Sequence, residues 1–181
     1  MLFRSKNRTP MPIASEIQSL LDQLRTAPAA DTPPDSGALT VIVDTNVLLD
    51  FWAFHDPKTE ALLQLIEDGA CTMLRDEATE KEFAEVIHRP GFKLSAEDQT
   101  AILTHWFQIA RRPASPARDA LARCRDPLDQ KFFDLASGSG CPLIVSKDKL
   151  VMKAGRRSKK EGTAVMLPED AARWIEAQRR C

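Results

Sequence analysis

Val41-Ile-Val-Asp-Thr-Asn-Val47 is the stretch that decides how the rest of the chain is read. It lies in a short run, Leu39 to Val43, that is mostly apolar and β-branched and shows no polar–apolar alternation. Such a run fits a strand covered on both faces. The run ends on an acid, Asp44. A carboxylate leaving so apolar a strand is at least partly buried, and an unpaired buried charge is costly. An ordinary surface role is therefore hardest to argue for Asp44.

Outward from that strand, helical and strand signals alternate. Lys58 to Asp68 carries Leu62, Leu63, Leu65 and Ile66, with Gly69 as a stop. Cys71 to Leu74 reads as a second short strand. Asp76 caps a helix running through His88 and closed by Arg89-Pro90-Gly91. Ser95 caps another helix reaching Ala110, whose buried side is Ile102, Leu103, Trp106, Phe107 and Ile109. Asp126-Pro127 opens a helix that carries Phe132, Phe133, Leu135 and Ala136 until Gly138-Ser-Gly140. Leu143 to Val145 and Ala164 to Leu167 are further strands, and Pro168 opens a C-terminal helix. This order predicts an α/β sandwich, a mostly parallel central sheet flanked by helices.

Residues 37–181 supply that body, and residues 1–36 read as an appendage and linker. Ile17, Leu20, Leu21 and Leu24 make one helical face within Ser15 to Leu24, about three turns long. The plain account of the appendage is a poorly ordered tail; the alternative is a partner-binding or self-docking helix. Ala27 to Gly37, rich in Ala, Pro and Asp, reads as the linker.

With 181 residues, 43% of them hydrophobic, the chain can fill one core. Twenty-five basic residues against 26 acidic ones give a net charge of −1, so any nucleic-acid contact must come from local patches. Cys71, Cys124, Cys141 and Cys181 show no paired spacing, which argues against a zinc site or a disulfide framework. No apolar run approaches the roughly 20 residues that span a bilayer, and the N-terminus lacks the apolar run of a signal peptide. A reduced, cytoplasmic chain is the expectation.

In open α/β sheets, ligands bind beyond the carboxyl ends of the strands, near the switch in strand order. Asp44 follows the first strand directly, and Asp148 lies three residues past Val145. Asp126 and Asp129 stand at the mouth of the preceding helix, and Glu80, Glu82 and Glu85 on an earlier one. Each has an ordinary reading: Asp126 as a cap, Asp148 as a loop residue between lysines, the glutamates as a solvated face. If they converge, two carboxylates about 5 Å apart repel by roughly 3 kcal/mol at an effective dielectric near 20. Three or four in one pocket then require shared protons or a divalent cation. All-oxygen ligation suits Mg²⁺ or Mn²⁺ and the hydrolysis of a phosphodiester.

Four segments carry a resemblance: Val43-Asp-Thr-Asn-Val-Leu-Leu49, Glu82-Phe-Ala-Glu-Val-Ile-His-Arg-Pro-Gly-Phe92, Arg125-Asp-Pro-Leu-Asp-Gln-Lys-Phe132 and Ile144-Val-Ser-Lys-Asp148. In order and spacing, from about Leu39 to Glu169, they resemble the PIN-domain family, and within it the branch described as toxins of toxin–antitoxin systems. The resemblance implies a PIN-like three-layer sandwich and Mg²⁺- or Mn²⁺-dependent cleavage of RNA. Asp44, Glu82, Asp129 and Asp148 are then the catalytic acids and metal ligands. Asn46 and Ser146 would hold a carboxylate or a water. A helical wheel places Glu80 about as close to the apolar stripe as Glu82, so the choice of Glu82 rests on the family pattern. The Asp-Pro-x-Asp element likewise offers two acids; Asp129 is favoured for the metal and Asp126 for the cap or a supporting role. An antitoxin protein is the implied partner, although the long N-terminal segment departs from the minimal domain.

Two basic clusters would flank the acids. One holds Lys147, Lys149, Lys153, Arg156, Arg157, Lys159 and Lys160; the other holds Arg111, Arg112, Arg118, Arg123 and Arg125. Lys147, Lys149 and Arg125, nearest the acids, are the expected RNA contacts. The alternative for the first cluster is a solvated loop, since Gly155 to Gly162 has little to bury. Trp52, Phe54 and His55 would stack on bases or, on the plainer reading, serve core or homodimer contacts. A catalytically weak RNA- or partner-binding module on the same fold is the rival function. A phosphatase or dehalogenase using Asp44 as nucleophile is disfavoured, because that chemistry wants a second Asp where Asn46 stands.

Overall fold

Strand β1 (Thr40–Val43) lies at the centre of a five-stranded sheet, with Val41, Ile42 and Val43 all buried. The computed structural model describes residues 13–27 and 33–180. β1 pairs in parallel with β2 (Thr72–Leu74) on one side and with β4 (Leu143–Val145) on the other. Beyond these lie the edge strands β3 (Ala110–Arg111) and β5 (Ala164–Met166), also parallel, in the order β3-β2-β1-β4-β5. The chain moves outward through β1, β2 and β3, then returns to lay β4 against the free side of β1. The order therefore switches between β1 and β4, which is where such sheets open a crevice at their carboxyl ends.

Side chains alternate across each strand. Val41, Val43, Leu143 and Val145 face a core shared with α3 (Pro57–Glu67), α5 (Ala96–Ile109) and α8 (Pro168–Arg179). Ile42, Leu74 and Ile144 face a second core with α6 (Gln130–Ser139) and α7 (Lys149–Ser158). With both faces covered, each such aliphatic side chain contributes about 1.5–3 kcal/mol of burial, which is why the strands read as continuous apolar runs. The outcome is the expected three-layer α/β sandwich, and its sheet is wholly parallel.

The caps form as their chemistry suggests. Asp76 accepts from the amide of Thr79, whose hydroxyl accepts in return from the amide of Asp76, at the start of α4 (Glu77–Ile87). Ser95 and Asp98 make the same reciprocal pair ahead of α5. α1 (Ile13–Arg25) packs against α4 and α5, burying Ile17 and Leu21 in the larger core. Residues 1–12, and 28–32 of the proposed linker, lie outside the described residues. Among the described residues no helix is long and apolar enough to cross a membrane.

Several elements differ from the sequence reading, among them the two-residue strand β3, which takes Ala110 from the end of the expected helix. After Asp44 the chain enters a short helix, α2 (Thr45–Leu49), which widens into a π-turn over Asp50–Phe54. The stretch after Asp148 is helix α7, not a solvated loop: Val151, Ala154, Gly155 and Ser158 form a narrow buried face. Gly155 is a contact residue there, since a Cβ would lie 2.5 Å from the side chain of Val165. Within the expected Gly138-Ser-Gly140 stop, the turn falls on Gly140, in the left-handed region, and Gly138 is still part of α6. A Cβ at Gly138 would sit 2.0 Å from the carbonyl oxygen of Pro116. Gly138→Ala is therefore expected to destabilise the protein by about 1–3 kcal/mol, read as a lower urea midpoint, despite alanine's better helix propensity.

Candidate active site

Asp44 sits at the switch point. Its amide donates to the carbonyl of Val145, which fixes the end of β1 against the end of β4. Its carboxylate is 2% exposed and is held from two sides. The Ser146 hydroxyl donates to Oδ2 at 2.6 Å, and the Asn46 amide donates to Oδ1 at 3.2 Å. Burial raises the Asp44 pKa, those two hydrogen bonds oppose the rise, and the charges of Glu82 and Asp148 add to it. Ser146, fully buried, also accepts from the amide of Asp148 at 3.0 Å. One hydroxyl thus ties two acids of neighbouring connections together.

The cleft over Asp44 encloses about 590 Å³, and Asn46, Glu82, Asp126, Asp129, Lys131 and Asp148 are among its walls. Glu82 reaches in from α4, accepting from the Thr45 hydroxyl at 2.7 Å and from the Lys131 ammonium. Asp148 caps α7, its Oδ1 accepting from the amides of Leu150 at 2.6 Å and Val151 at 3.1 Å. Asp126 caps the 3₁₀ turn Pro127–Asp129 by accepting from the Leu128 amide at 2.9 Å. Asp129 follows at the end of that turn. Its pKa is pushed up to about 6, first by burial and then by the charges of Asp44, Asp126 and Asp148, with Lys131 acting the other way. The four acids Asp44, Glu82, Asp129 and Asp148 line one cleft, and Asp126 joins them as a cap.

The two glutamates left open on the helical wheel have separate surroundings. Glu80 points away from the cleft and is completely buried among arginines. It accepts from Arg112 Nε at 2.9 Å and Nη2 at 2.6 Å, from Arg25 Nε at 2.8 Å, and from Arg75. Burial pushes the Glu80 pKa upward, but the hydrogen bonds of Arg112 and Arg25 and the charges of Arg75 and Arg112 outweigh it and hold the group below the usual range.

The basic residues also divide. Lys147 pairs with the buried Asp50 of the π-turn and lies 3.7 Å from Asp56. Arg112 belongs to Glu80, and Arg118 donates to the Ser137 carbonyl at 3.0 Å. Lys149 and Arg125 are exposed. Trp52 packs edge-on to Phe51 and His105 at the rim of the larger core, whereas Phe54 is 55% exposed. Sequence reading passed over Thr45 and Lys131, although both lie inside the quoted motifs. Only the packing of α4 against α2 and α6 reveals that they meet Glu82.

As the side chains stand, no three His, Cys, Asp or Glu groups among the described residues are clustered so as to share a metal ion. The donor chemistry nevertheless fits a hard divalent cation. The acids around Asp129 have only oxygen donors to offer, and burial, with the charges of Asp44, Asp126 and Asp148 adding to it, disfavours the ionised Asp129 carboxylate where no cation is bound.

The fold and the site define an α/β protein that gathers carboxylates at the switch point of a parallel sheet. A family model described as PIN domain matches residues 40–150, a span that contains every acid of the cleft. The chain belongs to the PIN domain family, whose members are generally nucleases. No curated protein and no solved structure matches the chain.

Proposed function

We propose that the cleft is the active site of a Mg²⁺- or Mn²⁺-dependent endoribonuclease, the toxin of a toxin–antitoxin pair acting in the cytoplasm. The observation that carries this reading is that Asp44, Glu82, Asp129 and Asp148, from four separate segments of the chain, line one cleft. These four residues would hold the cation. When bound, such an ion supplies Lewis acidity and neutralises the charge of a phosphodiester.

The chain's own groups prepare the site. Ser146 and the Asn46 amide fix the buried Asp44 carboxylate, and Ser146 passes that order on to the Asp148 loop. Lys131 partly neutralises Glu82 and, as a wall of the cleft, would offer its ammonium to a phosphate bound there. Exposed Lys149 and Arg125 stand next to Asp148 and Asp126, where they would meet the flanking RNA backbone, and Lys147 would do so from its pairing with Asp50. The toxin assignment and its antitoxin partner rest on the resemblance of the motifs. Among the described residues Cys71, Cys124 and Cys141 are free thiols, which supports a reducing compartment.

The rival reading, an RNA- or partner-binding module with feeble catalysis, draws on the Lys131–Glu82 pair, which leaves one acid already neutralised. Metal dependence separates the two. Purified chain is expected to cleave single-stranded RNA with Mg²⁺ or Mn²⁺, to stop in excess EDTA, and to recover when the ion is restored. Tight RNA binding with no cleavage at any concentration of either ion would favour the module.

A further inference from the structure

Beside the acidic cleft lies a second cavity of about 500 Å³ in which every charged lining residue is a cation. Arg123 and Arg125 enter it from the segment before α6, and Lys153, Arg156 and Arg157 from α7. Its remaining walls are Leu150, Ala154 and Cys124. All five cationic side chains are exposed. Among the described residues none of them makes an ion pair or a side-chain hydrogen bond, whereas Arg25, Arg75, Arg112, Lys131 and Lys147 are all committed to carboxylates.

Two separate segments thus bring like charges together with no counter-charge between them, an arrangement that costs repulsion unless an anion is present. Arg156 and Arg157 suit the last turn of α7, but that favourable dipole contact does not account for Arg123 and Arg125 across the cavity. The apolar floor tells against a simple inorganic anion and favours a ligand with an apolar face between its charges. The cavity also adjoins the cleft through the chain itself: Arg125 precedes Asp126, and Leu150 lies on the helix that Asp148 caps.

We propose that this cavity seats the single-stranded RNA next to the cleaved bond, with phosphates on the five cations and a sugar or base against Leu150 and Ala154. This rests on the nuclease reading above and adds to it where the strand runs: from the cleft along α7.

The test is fluorescence anisotropy with a labelled 12-nucleotide single-stranded RNA, using Asp44→Asn protein so that the probe stays intact. Arg125→Gln/Lys153→Gln/Arg157→Gln in that background is expected to bind at least tenfold more weakly near 0.1 M salt. The slope of log affinity against log salt should shrink by about 2, three contacts at roughly 0.7 each for a single strand. A control triple, Lys58→Gln/Lys93→Gln/Arg179→Gln, removes the same charge elsewhere on the surface and should bind like its parent. Unchanged affinity in the cavity triple, or an equal loss in the control, overturns the proposal. So does displacement of the probe by micromolar AMP or inorganic phosphate, which would mark a small-anion site. The two readings fail separately. Cleavage by wild-type chain with normal binding by the cavity triple sinks only the strand path. Cavity-dependent binding without any cleavage sinks only the nuclease.

Discussion

Glu80→Gln is expected to cost the fold about 3–5 kcal/mol, the range for breaking a buried ion pair by removing one partner. Glu80 is wholly inaccessible, and so is Arg75, whose guanidinium also lies 4.1 Å from the centre of the Phe107 ring. The amide keeps the shape but takes the Glu80 charge away from the fully buried Arg75. It also slackens Arg25, which ties α1 to α4, and Arg112, which follows β3. A loss of that size is a large part of the 5–15 kcal/mol that keeps a domain folded. The pH dependence follows from the depressed Glu80 pKa. A carboxylate with a lowered folded-state pKa contributes stability above its unfolded pKa and loses it as pH falls through the folded value. Wild type should therefore lose stability steeply in acid, and Glu80→Gln should lose that share of the slope along with its urea midpoint. A change below 1 kcal/mol at neutral pH would mean that the arginines find other partners.

Asp44→Asn should do the reverse: leave the fold intact and remove activity. Its raised pKa means that the ionised group is disfavoured in the folded state, so its contribution to stability falls as pH rises through the folded pKa. An amide ends that loss. Its oxygen can accept from the Asn46 amide while its NH₂ donates to Ser146, whose hydroxyl has room for it. Thermal stability at neutral pH is expected to hold or rise. RNA cleavage is expected to fall by at least about a thousandfold, the equivalent of roughly 4 kcal/mol of lost charge stabilisation in the transition state. Cleavage at the wild-type rate in Mn²⁺-repleted assays would remove Asp44 from the mechanism.

How far the sequence could be read depended on whether a residue's neighbours were local. Val41 to Val43 are apolar because both faces of β1 are covered, and Asp44 follows them, so the central strand and its acid were visible together. Caps such as Asp76 and Ser95 act within one turn and were equally plain. β3 was hidden because it is only the two residues Ala110–Arg111 paired to β2. α7 was hidden because its buried face is small, and its Gly155 owes its place to Val165 rather than to a turn. The choice between Glu80 and Glu82 depended on Arg25 and Arg112, which lie 55 and 32 positions from Glu80. The two basic clusters looked alike in sequence, and only packing divides cations bound to carboxylates from those that face an open cavity.

The central claim, that the four acids of the switch-point cleft hold a catalytic cation, is tested most directly by anomalous diffraction from crystals soaked in Mn²⁺. One or two manganese peaks are expected among the carboxylates of Asp44, Glu82, Asp129 and Asp148, and none at that position in Asp44→Asn crystals. Manganese bound only elsewhere, or an empty cleft in crystals of a chain that cleaves RNA under the same conditions, would contradict the account.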